Sequence, residues 1–192
     1  MRLAAGIALA LLSCAAAAVT PATADGTLAQ GARDGDVPAW TILAATPAGW
    51  TRDCCTYARA IGVDAVLYRG EWSGEPQRVM VLNVWPRALP SLDDDVQADR
   101  QRYRQHDPAG KVDGFVVRHP SMRCEASIYQ GSDRIDDVLV FCEPPASSGV
   151  RLSWSMTLDA DDASRRALLD DFMRVVVGTR YKPGAAVAGH AG

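Results

Sequence analysis

From residue 40 onward the apolar and polar positions of this chain fall into two periods. A period of two predicts half-buried strands at residues 40–44, 63–69, 115–119, 123–130, 136–143 and 150–158. The last is the cleanest. Val150, Leu152, Trp154, Met156 and Leu158 share one face, and Arg151, Ser153, Ser155 and Thr157 share the other. The strand at residues 77–85 breaks the alternation, because VMVLNVW is apolar on both faces. A strand of that kind is expected in the middle of a sheet covered on both sides.

Helical spacing appears in three places. Asp53 is placed to cap a short helix over residues 54–61, with Gly62 as its left-handed stop. SLDDDVQADRQRYRQH opens on Ser91, which forms a capping-box pair with Asp94. Its acids crowd the first turn, and Arg100, Arg102, Arg104 and His106 follow as a solvated face. A last helix starts at Asp161 or Asp162, sets Leu168, Phe172, Val175 and Val176 on one side, and ends at Gly178. Thr46-Pro47-Ala48-Gly49 reads as a turn, and GEWSGEP as the loop of a hairpin.

Side chains fix one register. If residues 123–130 and 136–143 form a hairpin around Gly131-Ser132-Asp133-Arg134, the pairing that keeps one face apolar sets Ile128 against Val138, Ala126 against Val140 and Cys124 against Cys142. Two arrangements of the remaining cysteines, Cys54 and Cys55, are then open. They are left as an adjacent pair, or they bond crosswise to Cys124 and Cys142. A disulfide between adjacent residues closes a strained eight-membered ring, so the crosswise staple of helix to hairpin is the expectation.

The ends set the compartment. Arg2 is followed by an apolar run from Leu3 to Val19, then Pro21 and Ala22-Thr23-Ala24. This reads as a signal peptide over residues 1–24 with cleavage before Asp25. A competing reading takes Leu11-Leu12-Ser13-Cys14 as a lipobox, which would anchor the chain to a membrane through a lipidated Cys14. Residues 25–38 and 183–192 are small and polar, and read as a flexible lead-in and tail around a single domain at residues 39–182. Arginine dominates the basic residues, with lysine only at Lys111 and Lys182. That bias reads as a GC-rich bacterial genome, and makes a Gram-negative periplasm the expected destination. There an even number of cysteines in the exported chain points to disulfides.

The formal charge of −3 argues against nucleic acid as a partner. His106, His119 and His190 lie far apart without metal-ligand spacing, so no metal and no cofactor are expected. The acid pairs fall where capping and turns account for them, and no nucleophile elbow, phosphate loop or C-x-x-C motif occurs. The expectation is therefore a protein without catalysis. Trp40, Trp50, Trp85 and Trp154 fall at core positions. Trp72 does not, and with Glu71 and Glu75 in its loop it is the candidate anchor for another protein. A second candidate surface is the loop over residues 143–149. Two alternative activities remain open: thiol–disulfide exchange at Cys54 and Cys55, and binding of a small molecule between helix and sheet.

The turn "TPAGW", the strand "VMVLNVWP", the capped helix "SLDDDVQADRQ", the strand "RLSWSMTL" and the closing helix "RRALLDDFMRVV" follow one another in an order that resembles the PsbP/Mog1-like superfamily over residues 40–181. The resemblance implies an α+β fold, with a central antiparallel sheet of about six strands and helices on both faces. It also implies a binding or scaffolding role. An envelope accessory factor and an immunity protein against a delivered toxin both fit, and the resemblance brings no catalytic residues with it.

Overall fold

The computed structural model describes residues 26–35, 37–72 and 78–184. The elements, in chain order, are β1 (Gly26–Gly31), β2 (Trp40–Ala44), β3 (Trp50–Asp53), α1 (Tyr57–Ala60), β4 (Ala65–Arg69), β5 (Val79–Pro86), α2 (Leu92–His106), β6 (Lys111–Val116), β7 (Arg123–Gln130), β8 (Ile135–Glu143), β9 (Val150–Asp159), α3 (Arg165–Gly178) and β10 (Arg180–Pro183). Seven strands form one antiparallel sheet in the order β3-β4-β5-β9-β8-β7-β6. The other three form a small antiparallel sheet, β1-β2-β10.

β5, apolar on both faces, lies inside the sheet between β4 and β9 as its composition requires. On one face of the large sheet, Leu67, Leu82, Trp154, Met156 and Val140 pack under α3 and the small sheet, through Phe172, Val176, Trp40 and Ile42. The opposite face carries two separate clusters. α1 sets Ala58 against Val66 and Val79, and α2 sets Leu92 and Val96 against Phe141. Helices thus cover both faces. Burying each large apolar side chain stabilises the fold by roughly 1.5–3 kcal/mol, so the face under α3 holds most of the driving force.

The capping box at Ser91 and Asp94 forms as expected. Gly49 and Gly62 take left-handed backbone angles, φ 78° and 73°, at the two stops read from the sequence. Four expectations need correction. The lead-in is partly ordered strand, since β1 pairs with β2 and buries Leu28 and Ala29. GTLAQG offers too few apolar residues to show this. The domain therefore reaches back to Gly26, and forward through β10, whose partner is also β2. Residues 1–24, with the signal and lipobox readings, lie outside the described residues, as does the tail beyond Gly184.

The third correction is the strand expected at residues 115–119, which instead occupies Lys111–Val116. As an outer strand it has no alternation to display, because most of its side chains face solvent. The fourth concerns the cysteines. Cys124 does face Cys142 in the β7–β8 register, together with Ala126 against Val140 and Ile128 against Val138. Those two cysteines bond to each other, with α-carbons 4.1 Å apart, and Cys54 bonds to Cys55. The crosswise staple is excluded by strand order. Cys54 follows β3 at one edge, and Cys124 lies on β7 five strands away, about 24 Å at the usual strand spacing. A disulfide spans no more than about 7 Å between α-carbons.

Candidate functional site

β3 ends at Asp53, and this carboxylate holds the turn that follows. Its Oδ1 accepts backbone N–H groups from Cys55 at 3.2 Å, Thr56 at 3.1 Å and Ala58 at 2.9 Å. Burial pushes the Asp53 carboxyl upward, but the converging N–H donors outweigh it and keep the group below its ordinary value. The turn displays the Cys54–Cys55 disulfide at the surface, with both residues exposed.

Tyr57 then opens α1 and lies flat on Trp72, with ring centroids 4.6 Å apart and planes 13° from parallel. Tyr68 of β4 meets both rings edge-on, at 5.7 Å and 5.5 Å. The trio packs over Ala58, Val66 and Val79. Stacked and edge-to-face pairs of this kind add about 0.5–1.5 kcal/mol beyond area burial.

Beside Trp72 runs a groove of about 560 Å³, walled by Glu71, Arg69, Arg78, Asp159 and Asp162. Arg78 sits in a left-handed conformation, φ 64°, as does Arg134, φ 70°. Such angles are uncommon outside glycine. Arg134 pairs with Asp161, which also borders the groove. Hydrogen bonds from Ser164, helped by attraction to Arg78, hold the Asp162 carboxyl below its ordinary value. The groove therefore mixes charges of both signs around an aromatic wall.

Of the residues singled out as a partner anchor, the structure sets Trp72 and Glu71 on the same groove. Trp72 is half-buried and stacked on Tyr57. Glu71 is exposed on the groove wall, and Glu75 lies outside the described residues. Tyr57 and Tyr68 are the residues that sequence reasoning missed. Tyr68 holds the outward position of an alternating strand, which is the signal that could have placed it beside a loop tryptophan.

At the other end of the sheet β6 is the outermost strand. Val116 is 84% exposed and Phe115 37% exposed, beside an exposed Gly114. The loop over residues 143–149 is tied down instead. Arg87 donates to the Pro144 carbonyl at 2.7 Å and pairs with Glu143 at 3.4 Å.

Elsewhere several titratable groups are engaged. Tyr129 donates to Asp99 at 2.5 Å, and burial followed by that contact pushes the phenol well above its usual range. Asp137 accepts from Thr157 at 2.6 Å, and burial raises its carboxyl. His119 Nδ1 accepts from Ser121 and Met122 N–H groups, which leaves Nε2 to donate to the Thr179 carbonyl at 3.0 Å. Arg100, expected among the solvated helix residues, reaches Ser127 Oγ at 2.9 Å. Among the described residues no group of three or more His, Cys, Asp and Glu side chains could hold a metal, and no helix is long and apolar enough to cross a membrane.

No family model matches the chain, and no curated protein matches it in sequence. Among solved structures it is similar to the solution structure of cyanobacterial PsbP (CyanoP) from Synechocystis sp. PCC 6803, at a TM-score of 0.50 and 10% identity. The match covers 86% of this chain and 99% of that one. The fold is PsbP-like, as the order of sequence elements implied. At such low identity the likeness extends to the fold alone.

Proposed function

We propose that this chain is an exported protein-binding domain of the bacterial periplasm without a catalytic role, and that its partner adds an extended segment to the outer edge of β6. The observation that carries the reading is the exposure of Val116 and Phe115 on the outermost strand of a seven-stranded sheet. An edge strand offers unpaired backbone N–H and C=O groups to an incoming strand, and apolar side chains beside them supply the burial. Natural edges are usually blunted by charge, and β6 carries its charges, Lys111 and Asp113, toward its start and leaves its end apolar. The leader read at residues 1–24 supports the compartment, and the lack of a nucleophile elbow, phosphate loop or C-x-x-C motif in the sequence supports the non-catalytic reading.

A photo-crosslinking residue at Val116, with one at Arg166 on the exposed side of α3 as control, tests the reading in the exported chain. The expected result is one dominant partner joined through Val116, whose purified form loses about tenfold or more in affinity when Val116→Lys places a charge on the edge. Crosslinks only to a second copy of the chain would make β6 a dimer edge instead. Equal labelling from both positions would remove β6 as the docking edge.

A further inference from the structure

The two disulfides differ in almost everything except their chemistry. Cys142 is fully buried beneath the small sheet and α3, so the Cys124–Cys142 bond is part of the core. The Cys54–Cys55 bond is exposed at both residues and joins no two elements of the fold. Adjacent residues stay adjacent whether or not they are bonded, so this bond serves no purpose as a cross-link. It does constrain the few residues between β3 and α1.

What surrounds it matters as much as its exposure. Asp53 grips the backbone at Cys55, Thr56 and Ala58 through contacts that involve neither sulfur. Opening the ring leaves that grip in place, and both thiols remain side by side and ready to close again. Two residues on, Tyr57 is stacked on Trp72, which walls the groove with Glu71 and Arg78. A change in the constraint on residues 54–56 therefore reaches the groove through a single ring contact.

We propose that Cys54–Cys55 is a reversible dithiol/disulfide site, exchanged with dithiol proteins while Cys124–Cys142 stays closed, and that its state sets the packing of Tyr57 on Trp72. In the forward direction a thiolate of the dithiol attacks one of the two sulfurs. The Cys54–Cys55 bond breaks, and the sulfur released takes a proton from water. The second thiol of the reductant then attacks the mixed disulfide and frees the other cysteine. Two electrons and two protons pass to Cys54 and Cys55, and the reductant leaves as its own disulfide. The other bond is less accessible, because Cys142 is fully buried and Cys124 is half-buried against the same core.

The test uses the exported chain purified without reductant, titrated with dithiothreitol, trapped with N-ethylmaleimide and read by peptide mass. Cys54 and Cys55 should each take a label at a reductant concentration about tenfold or more below the one that opens Cys124–Cys142, and oxidised glutathione should reverse it. Labels at Cys54 and Cys55 before any reductant is added, or both bonds opening together, would overturn the proposal. Tryptophan fluorescence reads the second half. Reduction should change the emission of the native chain, and the change should vanish in Cys54→Ser/Cys55→Ser and in Trp72→Phe. Unchanged emission in the native chain, or a change that persists in either variant, would show that the ring does not reach Trp72.

Discussion

Arg151 on β9 is ion-paired with Asp95 in the first turn of α2, and only 1% of the arginine side chain is exposed. The same guanidinium donates to Glu143 of β8 at 3.2 Å and to the Leu89 carbonyl at 2.9 Å. One side chain thus ties the central strand to its neighbour, to α2 and to the segment that leads into α2. Removing it leaves two carboxylates in partly desolvated positions. Arg151→Ala is expected to cost about 3–5 kcal/mol, read as a lower urea midpoint with an unchanged slope. A loss below about 1 kcal/mol would mean that water replaces the guanidinium at little cost.

The two disulfides should contribute unequally to stability. Cys124→Ala with Cys142→Ala removes a bridge between residues 18 apart and is expected to cost about 3 kcal/mol in the chain-entropy model. The same change at Cys54 and Cys55 releases almost no loop and is expected to cost about 1 kcal/mol or less. Calorimetric melting of the two double variants, side by side, checks the order.

Trp72 is expected to behave as a packed residue. Trp72→Ala strips the stacked face of Tyr57 and one edge contact of Tyr68, for a loss of about 1–3 kcal/mol. Trp72→Phe retains much of the stack and should recover most of that loss. An unchanged melting temperature for Trp72→Ala would instead describe an exposed indole.

His119 makes stability fall on the acid side. Burial lowers its folded-state pKa below the ordinary 6.5, against the upward pull of hydrogen bonding to the Thr179 and Val176 backbone. The unfolded chain therefore binds the proton first as pH falls. The stability His119 contributes is fully present above about pH 6.5 and declines from there down through its folded pKa. Glutamine has no proton to gain, so His119→Gln should be less stable than the parent at neutral pH and lose less on going to pH about 5. Parallel slopes of urea stability against pH in the two proteins would show that His119 is not the group titrating.

Much of the fold could be read along the chain because local constraints repeat there. The two-faced apolar run of β5 had to lie inside a sheet, and the sum of side-chain preferences in the β7–β8 hairpin allowed one register, which the structure keeps. Ser91, Asp94, Gly49 and Gly62 act within a few residues of themselves, so capping and turn chemistry were legible without knowing what packs on them. The order of these elements was enough to resemble the PsbP/Mog1-like superfamily.

What the sequence by itself determined is therefore the kind of each element except β1, β3 and β10, several local stops and the one hairpin register. Tertiary structure alone decided which elements meet. Arg151 and Ser153 occupy the polar side of an alternating strand, yet α2 closes over that side and buries them. Trp72 looked free until α1 brought Tyr57 onto it, and the pairing of Cys54 was settled by the four strands that separate β3 from β7. Each of these depends on contacts between residues far apart in the chain. Periodicity reports which face a side chain occupies, but what covers that face is set by the order in which strands and helices close around the core.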